Sequence, residues 1–241
     1  MLSFIALATA LVLPNGGVRS PAMMAGSRTS GFNLMATVVD LIPPEGYVWA
    51  DEAADTAASP TTAISSVPAS KLTVLADADK VGESVMARVE AAAAKAIAER
   101  GHFALAIPGG SILKMLKGSP SWAKDTTLAY VNHKAVPMDD AALATHAKAK
   151  ALFMGEWEGI DAIVMSGSGD AAAEAVAYEA ALRALPSNKL PVGADGLPVF
   201  DMMLIGVGDD GHVGSLYPGR EEVLDASGRW VLPVEIASDC S

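Results

Sequence analysis

The sequence predicts an α/β domain built on a mostly parallel sheet with helices on both faces, and three observations predict it. Short apolar runs of strand length, such as residues 103–107 and 202–205, alternate with longer segments of helical period. The runs are apolar throughout, as strands buried on both faces are. Their carboxyl ends carry glycines and polar residues, in Pro108-Gly109-Gly110-Ser111, in Asn132-His133-Lys134 and from Gly206 to His212. Ligands bind along that edge of an open α/β sheet.

The 241 residues suffice for one large domain, and a 51% hydrophobic content supplies its core. The domain is expected over residues 71–241, after a linker at 51–70 rich in Ala, Ser, Thr and Pro without period. Residues 1–50 read as a targeting segment and tail. The apolar run at 4–13 falls short of the roughly 20 residues that span a bilayer and matches a signal-peptide core. Residues 18–31 hold arginines and serines and no acids, as organelle transit segments do. Together they predict a plastid reached through the secretory route and a mature form without a membrane span. A cytoplasmic or secretory location, with an irregular apolar tail, is the alternative.

Within the domain, residues 71–75 read as a strand and 77–100 as a helix, with Val81, Val85, Val89 and Ala93 on one stripe and Gly101 as its stop. Residues 103–107 form a buried strand. Ser111 is expected to N-cap a short helix running through Ile112 and Leu116. Further strands are expected at 128–131, 160–165 and 202–206, and helices at 141–154 and 171–185. Asp139 and Asp140 read as a cap for the first of these helices.

The formal charge of −11, from 28 acidic and 17 basic residues without a basic stripe, argues against nucleic acid as a partner. Cys240 is the single cysteine, so neither a disulfide framework nor a cysteine-based metal site is expected. An anionic small molecule stays possible, because helix N-termini and backbone N–H groups hold phosphate whatever the global charge. Gly109, Gly110 and Ser111 offer such donors at a strand-to-helix turn. The same glycines also suit a tight turn with no ligand. Lys134 is a candidate phosphate partner or a solvated surface lysine.

His212 admits three readings: core histidine, metal ligand and general base. His102, His133 and His146 could join it around a metal only through the fold, since none stands at metal-binding spacing, so no metal is expected. Asp209 and Asp210 lie beside it on a glycine loop at a strand tip, where a carboxylate can orient an imidazole. They also suit a plain turn. The base reading is the one these neighbours favour.

Residues 200–219, FDMMLIGVGDDGHVGSLYPG, closely resemble the signature of 6-phosphogluconolactonases, of the form FDLxLLGMGxDGHxASLFPG. Residues 104–116 resemble that family's SGGSTPxxxL loop, and 130–137 stand where it has DERxVP. The resemblance implies a three-layer αβα, Rossmann-like sheet of the sugar-phosphate isomerase/lactonase type. It also implies opening of 6-phosphogluconolactone in the oxidative pentose phosphate pathway, with no cofactor. By that resemblance His212 is the base that activates water, with Asp210 as its polar neighbour. Gly109, Gly110, Ser111 and Lys134 hold phosphate, and Gly206, Gly208 and Gly211 shape the site.

The chain departs from the pattern in three places. Asn132-His133-Lys134 replaces Asp-Glu-Arg, Ser111-Ile112-Leu113 replaces Ser-Thr-Pro, and the sequence stops at Ser241 where the family continues through further strands and a helix. These departures keep a non-catalytic sugar-phosphate binder as an alternative. An amino-sugar-phosphate isomerase or deaminase ranks lower, because no acid follows the histidine in Ser215-Leu216-Tyr217-Pro218-Gly219.

Overall fold

The computed structural model describes residues 2–7, 38–39 and 72–236. Its elements in chain order are β1 (Leu2–Leu7), β2 (Val38–Val39), β3 (Leu72–Thr73), α1 (Ala78–Arg100), β4 (Phe103–Ile107), β5 (Thr126–Tyr130) and β6 (Asn132–Lys134). There follow α2 (Thr145–Ala149), β7 (Asp161–Ala162), α3 (Ala171–Arg183), β8 (Met202–Met203) and β9 (Val231–Ile236). The rest of the expected targeting segment and linker lies outside the described residues. Leu2–Leu7 and Val38–Val39, though placed before the expected domain, pair with strands inside it.

The main sheet has the order β7-β5-β4-β8, and every pairing in it is parallel. Strand β4 lies at its centre because its five residues, Phe-Ala-Leu-Ala-Ile, are apolar on both faces, and none is more than 1% exposed. From β4 the chain crosses to one side for β5 and β7, then returns to the other side for β8. This reversal is a topological switch point, which opens a crevice at the carboxyl ends of the two diverging strands. A second, antiparallel sheet runs β6-β1-β9. It joins the first where Val131 N–H donates to Ile107 O at 2.8 Å and the chain turns from β5 into β6.

Helix α1 forms as its signals predict. Asp77 Oδ1 accepts the Lys80 N–H at 2.8 Å, Val81, Val85, Val89, Ala93 and Ala96 bury one stripe, and Gly101 ends the helix at φ +79°. At its end Arg100 pairs with Asp201, whose carboxylate also accepts the Ala104 N–H at 2.7 Å. That aspartate ties the start of β8 to the start of β4, a contact between residues 97 apart that no local pattern reveals.

Several expected elements differ. The strand placed at 71–75 shrinks to β3, which pairs antiparallel with β2 outside the main sheet. Residues 141–154 are not one helix: Asp140 caps a turn by accepting the Ala142 and Leu143 N–H groups, α2 begins at Thr145, and a π-helical turn fills Lys150–Met154. Ser111 does not N-cap its helix. It is the first residue of a 3₁₀ helix, Ser111–Met115, capped by Gly110 at φ +89° without a side-chain hydrogen bond. Strands β7 and β8 are shorter than expected because each lies at a sheet edge with one pairing partner, and residues 202–205 are partly exposed instead of buried.

Glu174 is a buried carboxylate near the start of α3, 1% exposed. It accepts the Ser166 and Ser168 N–H groups at 2.8 and 2.6 Å and the Ser166 hydroxyl, closing the loop after β7. Gly167 in that loop packs where a Cβ would lie 3.1 Å from Met138 N and 3.2 Å from Pro137 Cα. Burial raises the Glu174 pKa, but the Ser166 and Ser168 hydrogen bonds outweigh it and bring the value to about 2 from 4.5. A depressed carboxylate stabilises the fold above its unfolded pKa, and that contribution is lost as pH falls from 4.5 toward about 2. Glu174→Gln is therefore expected to cost about 3 kcal/mol at pH 7, read by urea unfolding, with the difference from wild type shrinking below pH of about 4.

Among the histidines, His133 is fully satisfied in the core. Its Nδ1–H donates to Lys134 O at 2.6 Å and its Nε2 accepts the His146 N–H at 3.1 Å. Burial is the largest cause holding His102, His133 and His146 below the usual imidazole value of 6.5. The unfolded chain then binds more protons than the folded one below that pH, so stability is present above 6.5 and declines on acidification. The urea midpoint is expected to fall between pH 7.5 and about 5.5, before any carboxylate titrates.

Candidate active site

The crevice at the switch point holds a cleft of about 200 Å³. One wall is the turn after β4, Pro108 to Ile112. The other is the loop after β8, contributing Gly206, Val207, Gly208, His212 and Gly214, with Asn132 from the start of β6 between them. Of the residues singled out in the sequence, Gly109, Gly110, Ser111, Gly206, Gly208 and His212 line this cleft. Asp210 stands behind the histidine, and Gly211 serves the turn. Lys134 lies in β6 and does not line the cleft.

The histidine loop is two tight turns in series. Val207 and Val213 face each other across an antiparallel bridge, Gly208 N–H donates to His212 O at 2.9 Å, and Gly211 N–H donates to Gly208 O at 2.9 Å. A second turn spans Val213 to Leu216, with both central residues in the left-handed region, Gly214 at φ +55° and Ser215 at φ +67°. That pair of positive φ angles belongs to a type I′ turn. A Cβ at Gly214 would lie 2.8 Å from Val131 Cγ1, so the loop also needs glycine there to close on β5.

These turns set the imidazole. His212 Nδ1 lies 2.6 Å from Asp210 Oδ1, which also accepts the His212 backbone N–H at 3.1 Å. A carboxylate can only accept, so Nδ1 carries a proton, and in the neutral ring Nε2 is the nitrogen with the lone pair. Burial alone would raise the Asp210 pKa, but hydrogen bonds from the His212 N–H and ring outweigh it and hold the carboxyl below its usual range. Tyr217 stacks on the ring, with centroids 4.6 Å apart at 24°. Gly208 also lies against the ring: a Cβ there would sit 2.3 Å from ring atoms Cε1 and Nδ1.

The opposite wall is backbone. A Cβ at Gly109 would lie 3.1 Å from Thr145 Oγ1, so the turn passes close beneath α2. The Gly109 N–H, expected as a phosphate donor, here donates to Asn132 Oδ1 at 3.4 Å. Sequence reasoning missed Asn132. Its Nδ2 donates to Ser215 Oγ at 2.8 Å, across 83 residues, and nothing local signals that contact. Among the lining residues His212 is the sole titratable side chain, with no Asp, Glu, Lys or Arg.

Chemically, a neutral imidazole fixed by a carboxylate can take a proton from water, and N–H groups facing it can hold an anion. Among the described residues no cluster of His, Cys, Asp or Glu has the arrangement of a metal site. No helix among them is long and apolar enough to cross a membrane.

Comparison with known proteins agrees with the sequence motifs. The model of the family described as Glucosamine-6-phosphate isomerases/6-phosphogluconolactonase matches residues 76–239. The chain is 34% identical over 152 residues to 6-phosphogluconolactonase 3, chloroplastic, of Arabidopsis thaliana, covering 56% of this chain and 45% of that protein. It is 29% identical over 160 residues to the 6-phosphogluconolactonase of Rattus norvegicus, covering 62% and 60%. The chain spans about half the length of the chloroplastic relatives it matches. A 6-phosphogluconolactonase structure from Shewanella baltica superposes with a TM-score of 0.46 at 19% identity, over 56% of this chain and 55% of that one.

The ring's contacts with Gly208 and Tyr217 yield a test. Gly208→Ala is expected to expel the imidazole from its stacked position while far-UV circular dichroism stays unchanged. Loss of the ring-current shifts on the Tyr217 ring protons in NMR reads it; unchanged shifts would mean the ring tolerates the added methyl.

Proposed function

The chain belongs to the Glucosamine-6-phosphate isomerases/6-phosphogluconolactonase family, and from that premise we propose that it hydrolyses 6-phospho-D-glucono-1,5-lactone to 6-phospho-D-gluconate in the oxidative pentose phosphate pathway. The observation that carries this reading is the His212–Asp210 pair, 2.6 Å apart, facing the Gly110-Ser111 turn across one cleft. His212 Nε2 takes a proton from water as the water oxygen bonds to the lactone carbonyl carbon. Backbone N–H groups of the histidine loop stabilise the oxyanion. As the intermediate collapses, the bond from that carbon to the ring oxygen breaks, and the imidazolium returns its proton to the leaving oxygen. Asp210 keeps Nδ1 protonated throughout and supports the transient positive charge.

The phosphate would lie against Gly110 and Ser111, held by N–H groups and the Ser111 hydroxyl. The family pattern gives Lys134 a part in neutralising phosphate, from β6 outside the cleft lining. The composition of residues 18–31 and the chloroplastic names of plant relatives support a plastid location. A non-catalytic sugar-phosphate binder is the second reading, motivated by Asn132-His133-Lys134 standing where the family has Asp-Glu-Arg.

A lactonase assay on the full chain, corrected for spontaneous hydrolysis, separates the two. Wild type is expected to exceed the background rate, and His212→Ala to lose about 10²- to 10⁴-fold while still folding. Lactone that raises the melting temperature without any rate above background identifies the binder.

A further inference from the structure

Asn132 stands between the two walls of the cleft and touches both. Its Oδ1 accepts the Gly109 N–H at 3.4 Å, and its Nδ2 donates to Ser215 Oγ at 2.8 Å. Gly109 begins the turn proposed to hold phosphate. Ser215 sits in the type I′ turn that follows His212, buried at 3% exposure. A non-glycine residue at φ +67° is strained by about 1 kcal/mol, so something must favour serine over glycine there. The hydroxyl is the difference, and its partner in the structure is Asn132.

We propose that Asn132 is a positioning residue, a clasp that fixes the distance between the phosphate-side turn and the histidine loop through one amide group. The amide suits this duty because it presents an acceptor and a donor in a fixed plane, one for each wall. It is also neutral, so it closes the cleft without adding a negative charge to the wall that faces an anion. A carboxylate could keep both contacts, accepting from the Gly109 N–H and from the Ser215 hydroxyl, but would repel that anion. The consequence for turnover rests on the lactonase reading of the cleft; the clasp itself does not.

The test combines hydrogen exchange with kinetics on Asn132→Ala, Asn132→Asp, Ser215→Gly and the Asn132→Ala/Ser215→Gly double variant. Glycine suits the positive φ, so Ser215→Gly removes the hydroxyl without threatening the fold. The Gly109 amide is expected to exchange about tenfold faster in Asn132→Ala and faster also in Ser215→Gly. With 6-phosphogluconolactone, kcat is expected to fall about tenfold in each single variant and no further in the double, because the Asn132–Ser215 hydrogen bond is lost in all three and the clasp is open without it. Asn132→Asp is expected to recover kcat relative to Asn132→Ala but raise KM by about tenfold or more. Unchanged Gly109 exchange in Asn132→Ala, losses that multiply in the double variant, or an Asn132→Asp with unchanged KM would each overturn the proposal. Wild type no faster than spontaneous hydrolysis would sink the lactonase reading instead, and Gly109 exchange would still decide the clasp.

Discussion

The architecture depends on strand β4 being paired on both edges. Its residues are fully apolar and almost wholly out of water, and a backbone so buried must find hydrogen-bond partners on either side. The chain supplies β5 on one edge and, after a long excursion, β8 on the other. Two loops therefore leave the sheet side by side at the same end. The glycine turn and the histidine loop meet because their parent strands flank one topological reversal.

What the loops do once there is a matter of missing side chains. The histidine ring fits because Gly208 offers no Cβ, and the loop closes on β5 because Gly214 offers none. Asp210 then reaches around a four-residue turn to bond both the backbone and the ring of the residue two places on. Orientation of the imidazole is thus written into local backbone geometry. The link to the opposite wall is the reverse case, a contact over a long stretch of chain made by a single amide.

That contrast explains what could be read in advance. Strand 103–107 and helix 77–100 were legible because their signals are local: an unbroken apolar run, a stripe at helical spacing and a Gly stop. The histidine loop was legible through its glycines and its family likeness. The extents of β7 and β8 were not, since apolar residues do not announce how many pairing partners a strand will find. Residues 141–154 have helix-forming composition, yet Asp140 holds the first of them in a turn, and helix forms only from Thr145 onward. Asn132 looked like a defect, the loss of an acid. Its amide contacts depend on the αL conformation of Ser215 far along the chain, which no pattern around Asn132 encodes.

The uncharged lining of the cleft has a kinetic side. A chain with a formal charge of −11 surrounds itself with a negative potential, and its cleft wall carries no cation to focus an incoming anion. Capture by backbone N–H groups acts only at contact distance, so the approach is uphill until counterions thin the field. With a Debye length of roughly 8 Å at physiological ionic strength, most of that repulsion is screened. Such a cleft would meet the phosphorylated ligand proposed for it more often in the salt of a cell compartment than in dilute buffer, the opposite of an electrostatically steered enzyme.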